Sequence, residues 1–425
     1  MSATFYDLLQ TKKPILLDGA TGTQLHLAGL PAGLCPESWL LQNPALLQRL
    51  QRDYLAAGST ILYTFTLGAN RIKLAGHHLD ISATQSINRQ LAAISTAVRD
   101  QWRSSPIDAP VLVAGDLAPT GQFLKPAGNL SFLDLIDLYR EQVRGQLEAG
   151  VDLFVVETMV DLAQARAAVL AVQAECDLPI MVSITVEANG RTLAGNTPLA
   201  CLISLASLGV AAFGLNCSFG PDQLAELILP LLAVSPIPLL VKPNAGLPSL
   251  VDGQTIFPMQ PDDFAQAMLP LAEAGIQLLG GCCGTSPDHI ASLAASLKTA
   301  AKPNPVCRPA DCGRWISSSR TACQVYDLHD LPQVPCSSPD CLDDCLDAAE
   351  RTDTALILDL VSWPITQLTD LTDYLQDLQA QMTLPLIFKC HDPITRDTAL
   401  RAYHGRAGVI TSDGITLPGA MLFSV

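Results

Sequence analysis

The sequence predicts an α/β protein: a closed (β/α)8 barrel of the TIM type followed by a small C-terminal α/β module. Three observations carry that expectation. Eight short apolar runs rich in Val, Ile and Leu recur along the first 300 residues, each trailed by a longer stretch of helical periodicity. None holds a charge until its last few positions, as strands covered on both faces by helices require, because an unpaired buried charge is costly. The polar residues Asp18, Glu157, Cys217, Asn244, Cys282 and Cys283 fall at or just past the C-terminal ends of their runs, where a parallel barrel gathers its functional groups. A doubly wound open sheet is the competing architecture, and the number of units favours the barrel.

The runs are Ile15 to Ala20, Thr60 to Phe65, Val111 to Leu117, Leu153 to Thr158, Ile180 to Val186, Ala212 to Ser218, Pro238 to Asn244 and Gln277 to Cys283. Helices between them have glycine stops, Gly150 after Leu133 to Ala149 and Gly275 after Phe264 to Ala274. Composition then changes abruptly in AKPNPVCRPADCG, where Pro303, Pro305 and Pro309 mark a boundary. The expected organisation is a barrel over residues 1–300, a linker over 301–320 and a module over 321–425. In the module, a loop-rich cysteine-containing section precedes strand Ala355 to Leu360, helix Thr366 to Met382, strand Leu384 to Lys389, helix Thr395 to Tyr403 and strand Gly408 to Thr411.

With 425 residues, 49% of them hydrophobic and 16% charged, the chain is core-rich and long enough for about two domains. Its net charge of -16 opposes the attraction on which nucleic-acid binding depends, so no nucleic acid is expected as a partner. Thr192 to Pro221 has no charged side chain, but Asn196, Pro198, Gly209, Gly214 and Asn216 suit a loop, a buried helix and a buried strand better than a lipid-facing helix. No membrane association is expected. The N-terminal MSATFYDLLQTKK lacks the long apolar core of a secretory signal, which predicts a cytoplasmic protein. There, the 13 cysteines are expected as reduced thiols or metal ligands rather than disulfides.

Gly280-Gly281-Cys282-Cys283-Gly284-Thr285 ends the eighth run and Asn216-Cys217-Ser218 ends the sixth. Strand ends of a barrel face one opening, so these three thiolates can converge despite their separation in sequence. Three soft sulfur ligands with one tetrahedral position open describe a catalytic zinc site. Buried, inert cysteines are the plainer reading, because free cysteine is commonly buried. Adjacent cysteines flanked by glycines at a strand end weigh against it.

The segments LDGATGTQL (Leu17 to Leu25), GLNCSFGP (Gly214 to Pro221), PNAGLP (Pro243 to Pro248) and GGCCGTSPDHI (Gly280 to Ile290) closely resemble the homocysteine S-methyltransferase family. GDLAPTG (Gly115 to Gly121) and GANRIKL (Gly68 to Leu74) are similar to the homocysteine-binding barrel of the cobalamin-dependent methionine synthases. The resemblance covers residues 10 to 300, approximately. It implies a methyltransferase that forms methionine, with Zn2+ held by Cys217, Cys282 and Cys283 and the homocysteine sulfur as fourth ligand. Coordination would deprotonate that thiol, so no separate general base is required. Asp18 and Glu157 are then the natural partners of the substrate ammonium. The amides around Gly19, Ala20 and Thr21 would suit its carboxylate, and Asn244 would add a neutral hydrogen bond. The plainer alternatives are a helix cap for Asp18 and a barrel salt bridge for Glu157.

The expected donor is methylcobalamin or another methyl-corrinoid on a separate protein, since the sequence shows neither a complete corrinoid motif nor room for a corrinoid domain. S-methylmethionine or betaine is the alternative donor, and a non-catalytic zinc scaffold for a corrinoid protein is the alternative role. Three ligands rather than four favour the open, catalytic reading. Asn70 and Arg71 could face the donor's entrance or form a solvated surface pair. Asp327-Leu328-His329 is similar to the start of a corrinoid-binding motif, but Pro332 replaces its glycine and the match reads as accidental. TALRAYHGR (Thr398 to Arg406) resembles part of a pterin-binding barrel. The module is too short to close such a barrel, which takes about 250 residues, so a shortened remnant for stability or docking is expected and folate binding is not. Cys336, Cys341 and Cys345 are spaced like ligands, and Cys307 and Cys312 more loosely so, but no familiar zinc pattern fits. Separate reduced thiols are expected there.

Overall fold

Eight parallel strands form one sheet in this computed structural model, which describes residues 4–31, 33–104, 110–125, 127–251, 254–299, 312–411 and 420–424. They are β1 (Ile15–Leu16), β2 (Ile61–Tyr63), β3 (Leu112–Leu117), β4 (Leu153–Met159), β5 (Ile180–Ile184), β6 (Ala212–Asn216), β7 (Leu239–Lys242) and β8 (Leu278–Leu279). Each pairs with its sequence neighbour, β8 pairs with β1, and a parallel bridge from Leu17 to Ile61 closes the ring between β1 and β2. The closed (β/α)8 barrel predicted from the sequence is the fold.

The two-residue period of the strands sorts their side chains. Leu153 and Val155 point into the barrel interior with Ile15, Leu17, Leu112, Ala114, Met181 and Leu240, whereas Phe154 and Val156 join the layer under the helices. The helix Phe5–Gln10, started by a capping box between Thr4 and Asp7, adds Phe5 and Leu8 to that interior. Gly150 and Gly275 follow their helices with φ of 78° and 108°, the left-handed stop that glycine adopts without penalty. The uncharged stretch 192–221 holds the helix Pro198–Ser207 and β6, and no helix among the described residues is long and apolar enough to cross a membrane.

Seven of the eight barrel strands lie inside the expected runs and β4 oversteps its run by one residue, Met159, yet most are shorter at their C-terminal ends. The eighth run was expected to reach Cys283, and β8 stops at Leu279. From Gly280 onward the chain leaves strand geometry, although the Gly280 and Gly281 amides still bond to Val241 O of β7 and Asp18 O after β1. An antiparallel hairpin of Ser249–Val251 and Gln254–Ile256 after β7 was not anticipated.

The C-terminal module is a five-stranded parallel sheet: β9 (Gln333–Pro335), β10 (Leu356–Asp359), β11 (Leu386–Lys389), β12 (Gly408–Thr411) and β13 (Met421–Ser424), in that spatial order. Helices Leu368–Gln381 and Pro393–Ala402 match the expected ones within two residues. The cysteine-containing section is more ordered than its loop-like composition suggests, supplying β9 and the helix Leu342–Ala349. Part of the expected linker, Trp315–Ser317, pairs with Ala322–Gln324 as a hairpin that docks on the barrel. Asn196 Nδ2 donates to Ser319 O at 2.7 Å, the Ser204 and Ser317 hydroxyls meet at 2.8 Å, and buried Arg166 donates to Tyr403 O.

Candidate active site

The ends of β1, β6, β7 and β8 are stitched together where the chain leaves the sheet. Gly281 N donates to Asp18 O at 3.1 Å, Cys217 N to Lys242 O at 3.0 Å, Cys282 N to Pro243 O at 2.7 Å and Ala245 N to Cys283 O at 2.9 Å. Buried Thr285 couples two of these turns, its Oγ1 donating to Cys282 O at 2.8 Å and accepting the Ala20 amide at 3.0 Å. A Cβ on Gly281 would lie 2.4 Å from Thr285 Oγ1, so only glycine permits this approach.

These bonds bring together the three cysteines that the sequence singles out. The Sγ atoms of Cys217, Cys282 and Cys283 lie within 4.8 Å of one another, with 3.0 Å from Cys217 to Cys282 and 3.6 Å from Cys217 to Cys283. Sulfurs at three corners of a zinc tetrahedron stand about 3.8 Å apart, so one ion of that size fits the trio. Each cysteine keeps partial exposure, unlike the fully buried Cys201. Hydrogen bonds from Cys217 and then Cys282 hold the Cys283 thiol down at about 3, while the bonds shared with Cys282 and Cys283 push Cys217 far up. The cluster thus favours one thiolate before any ion is considered.

Backbone strain shapes the same corner. Cys217 and Ser218 have φ of 60° and 61°, and Thr158 at the end of β4 has 58°, a region costing a non-glycine residue about 1–3 kcal/mol. Surrounding bonds hold it: Val186 N donates to Ser218 Oγ at 3.0 Å, and Thr158 N donates to Asn216 Oδ1 at 3.0 Å. Asn216 Nδ2 donates to Thr158 Oγ1 at 2.7 Å and faces Cys282 Sγ at 3.9 Å, so this side chain ties the β4 end to the cysteines.

The expected substrate residues sit around the same mouth in different states. Asp18 is buried; Oδ1 accepts from Lys242 Nζ at 2.8 Å and Oδ2 from Tyr63 N at 2.7 Å. Lys242 Nζ also stands 3.6 Å from the Tyr63 ring centroid. Burial works against its charge, but Asp18, Tyr63 and Glu157 hold the ammonium well above the usual lysine range. Glu157 is half-buried and joins no salt bridge among the described residues. Desolvation pushes its carboxyl up to about 7, with Lys242 pulling it back and Cys282 adding to the rise. Asn244 is buried with its side-chain Oδ1 lacking a hydrogen-bond partner among the described residues, a deficit of the kind a ligand donor relieves. Gly19 is pressed against Tyr54 and Thr285, the Ala20 amide is taken by Thr285, and Thr21 opens the helix Thr21–Leu27.

Sequence reasoning missed Lys242, Asn216, Thr285 and Asp116. Lys242 is the lone charge near the end of its run, so the strand-end rule applied to Asp18 and Glu157 would have found it. Asp116 is buried with Oδ1 unpartnered among the described residues, and desolvation, then Glu157, push its carboxyl well above the usual range. Asn70 caps the helix Arg71–Gly76 through Lys73 N, and Arg71 pairs with Glu141. Cys307 lies outside the described residues, as does the side chain of Cys312.

The sequence profile of the homocysteine S-methyltransferase family matches residues 15–297, two thirds of the sequence, and this chain belongs to that family. It is 36% identical over 305 residues to the methionine synthase of Mycobacterium leprae and 35% identical over 311 residues to that of Mycobacterium tuberculosis. Those matches take in 68% and 70% of this chain but 25% and 26% of the relatives, so the chain spans about a quarter of their length. Among solved structures, the homocysteine methyltransferase MmuM of Escherichia coli in its metallated form superposes with a TM-score of 0.58 at 26% identity, covering 68% of this chain and 98% of that one.

Proposed function

We propose that this chain methylates the sulfur of homocysteine to give methionine, with Zn2+ held by Cys217, Cys282 and Cys283 and the methyl group delivered by a methyl-corrinoid on a separate protein. One observation carries the reading: three thiols from two distant strand ends converge at a half-exposed mouth within the barrel that matches the family. Bound there, zinc would keep the incoming thiol deprotonated at neutral pH.

The chain's own residues do the rest. Asn216 and Thr285 fix the cysteine loops, so the ligand set is organised before substrate arrives. Glu157, unpaired and half-buried, is the ammonium partner best placed to gain from substrate binding, because an incoming cation offsets the desolvation that raises its pKa. Asp18 shares its charge with Lys242 and acts through the field at the mouth. Asn244 Oδ1 accepts a substrate N–H, and the turn at Gly19 to Thr21 faces the carboxylate. Methyl transfer forms one carbon–sulfur bond as the carbon–donor bond breaks, its electron pair leaving with the donor.

The resemblance to the cobalamin-dependent synthases supports the corrinoid donor, and the 36% identity to a methionine synthase supports methionine as the product. Methionine formation by the purified chain should be compared with methylcobalamin, with a methylated corrinoid protein, and with S-methylmethionine or betaine. Turnover with a corrinoid donor is expected. Rapid turnover on a small onium donor and none on either corrinoid would contradict the donor assignment.

A further inference from the structure

Cys336, Cys341 and Cys345, expected to be separate thiols, converge in the C-terminal module. Cys336 follows β9, Cys341 is the N-cap of the helix Leu342–Ala349, and Cys345 lies one turn further on. All three are buried; their Sγ atoms lie within 4.8 Å of one another, with 3.7 Å from Cys336 to Cys345. From the helix Leu368–Gln381, the Tyr374 hydroxyl stands against the trio, 3.1 Å from Cys345, 3.3 Å from Cys341 and 3.7 Å from Cys336.

Those four atoms have the shape of a small tetrahedron. Around a zinc ion with three sulfurs and one oxygen, sulfur–sulfur edges are about 3.8 Å and sulfur–oxygen edges about 3.5 Å. Ordinary hydrogen bonding accounts for part of the group, Cys341 Sγ donating to Ser338 O at 3.1 Å and Cys336 Sγ to Val334 O at 3.5 Å, but not for the convergence of all three sulfurs on one hydroxyl. A hydroxyl carries a single proton, thiols are weak donors, and the three sulfurs are the only hydrogen-bond partners of Tyr374 Oη among the described residues. Trp363 packs on the Tyr374 ring at 5.5 Å between centroids and fixes its position. The helix N-terminus at Cys341 favours a thiolate there. Soft thiolates select zinc and similar ions over magnesium or calcium.

We propose that Cys336, Cys341 and Cys345, with Tyr374 Oη at the fourth corner, form a second, closed metal site that takes one thiophilic divalent cation and staples β9 to the two helices. Binding displaces the three thiol protons and the Tyr374 phenol proton to solvent and leaves no corner for substrate, so its role is structural.

The test titrates the metal-free full-length chain, kept reduced, with Co2+ and reads the sulfur-to-cobalt charge-transfer absorbance. The Cys283→Ser chain, whose module is untouched, should still take up one thiolate-bound equivalent. Cys345→Ser should take up one equivalent fewer than the native chain. Tyr374→Phe, which removes a direct ligand, should weaken the module's equivalent by more than about a hundredfold, beyond the 10–100-fold cost of an outer partner, and shift its ligand-field bands. A Cys283→Ser chain that binds no thiolate-coordinated cobalt would overturn the proposal, as would equal uptake by the native and Cys345→Ser chains. Because neither result depends on methionine formation, failure here is separable from failure of the barrel's assigned activity.

Discussion

The two thiol clusters of this chain use the same three side chains and differ in what surrounds them. In the barrel, Cys217, Cys282 and Cys283 sit on strained or glycine-flanked turns, stay partly exposed, and have around them Glu157, which joins no ion pair among the described residues, and a buried Asn244 acceptor with no partner among them. In the module, Cys336, Cys341 and Cys345 are buried, lie at a strand end and on one helix, and are closed off by Tyr374. Strain, unsatisfied polar atoms and open space accumulate where a ligand is still to arrive. Among the described residues the module's cluster shows neither left-handed backbone nor an unpartnered buried polar atom, although a cavity borders Cys336.

The largest effect should come from serine at the barrel cysteines. Cys283→Ser is expected to lower methionine formation by more than about a hundredfold and to lose the barrel's ion, since a direct ligand matters more than the outer partners whose removal costs 10–100-fold. Cys345→Ser should leave that rate within a factor of about two, because among the described residues no hydrogen bond or ion pair joins the module's cluster to Cys217, Cys282 or Cys283; this contrast, measured on paired variants with their metal content, breaks the comparison if the two behave alike.

Next in size is Asp18→Asn. It removes one partner of an ion pair whose side chains are 2% and 4% exposed, and breaking such a pair costs about 3–5 kcal/mol. Chemical denaturation should show this loss for Asp18→Asn and not for Glu157→Gln, which has no ion pair to break. Glu157→Gln should instead weaken homocysteine binding by about 1–3 kcal/mol with the ion retained, read by calorimetric titration. Unchanged affinity there would displace the ammonium pocket from Glu157.

A further effect concerns acid. Burial, and then Arg166, hold His404 of the module down at about 3 from an ordinary value of 6.5. A histidine depressed on folding stays neutral in the native state while the unfolded chain takes up its proton. Its contribution is therefore intact above pH 6.5 and is lost progressively as pH falls toward 3. Unfolding followed by Trp363 fluorescence should show the module weakening over that window, and His404→Gln should flatten the dependence.

Much of this was legible in the sequence, and the reasons are physical. Buried parallel strands must be apolar, so the eight runs stood out, and each strand begins within one residue of its expected start. Their ends did not stand out, because Gly280 to Cys282 leave strand geometry while their amides still bond to Val241, Asp18 and Pro243 of the neighbouring strand ends, which no periodicity reports. The pair Cys282-Cys283 was conspicuous; Lys242 was not, since a single charge at a strand end reads as surface until Asp18 is seen beside it. Cys336 and Cys345 escaped for a different reason. Their spacing was noticed but fits no familiar zinc pattern, and the hydroxyl that closes the group comes from Tyr374, 29 positions beyond Cys345 on a helix whose pattern announces only an apolar face. β9 was hidden too, three residues long and ending in Pro335.

The central claim is that the barrel's three thiolates leave one coordination position for the substrate sulfur. The most direct measurement is zinc K-edge X-ray absorption on the Cys345→Ser chain, where only the barrel ion should remain, recorded with and without saturating homocysteine. The sulfur count at zinc should rise from three to four on addition. A count that stays the same while homocysteine is bound would contradict the account.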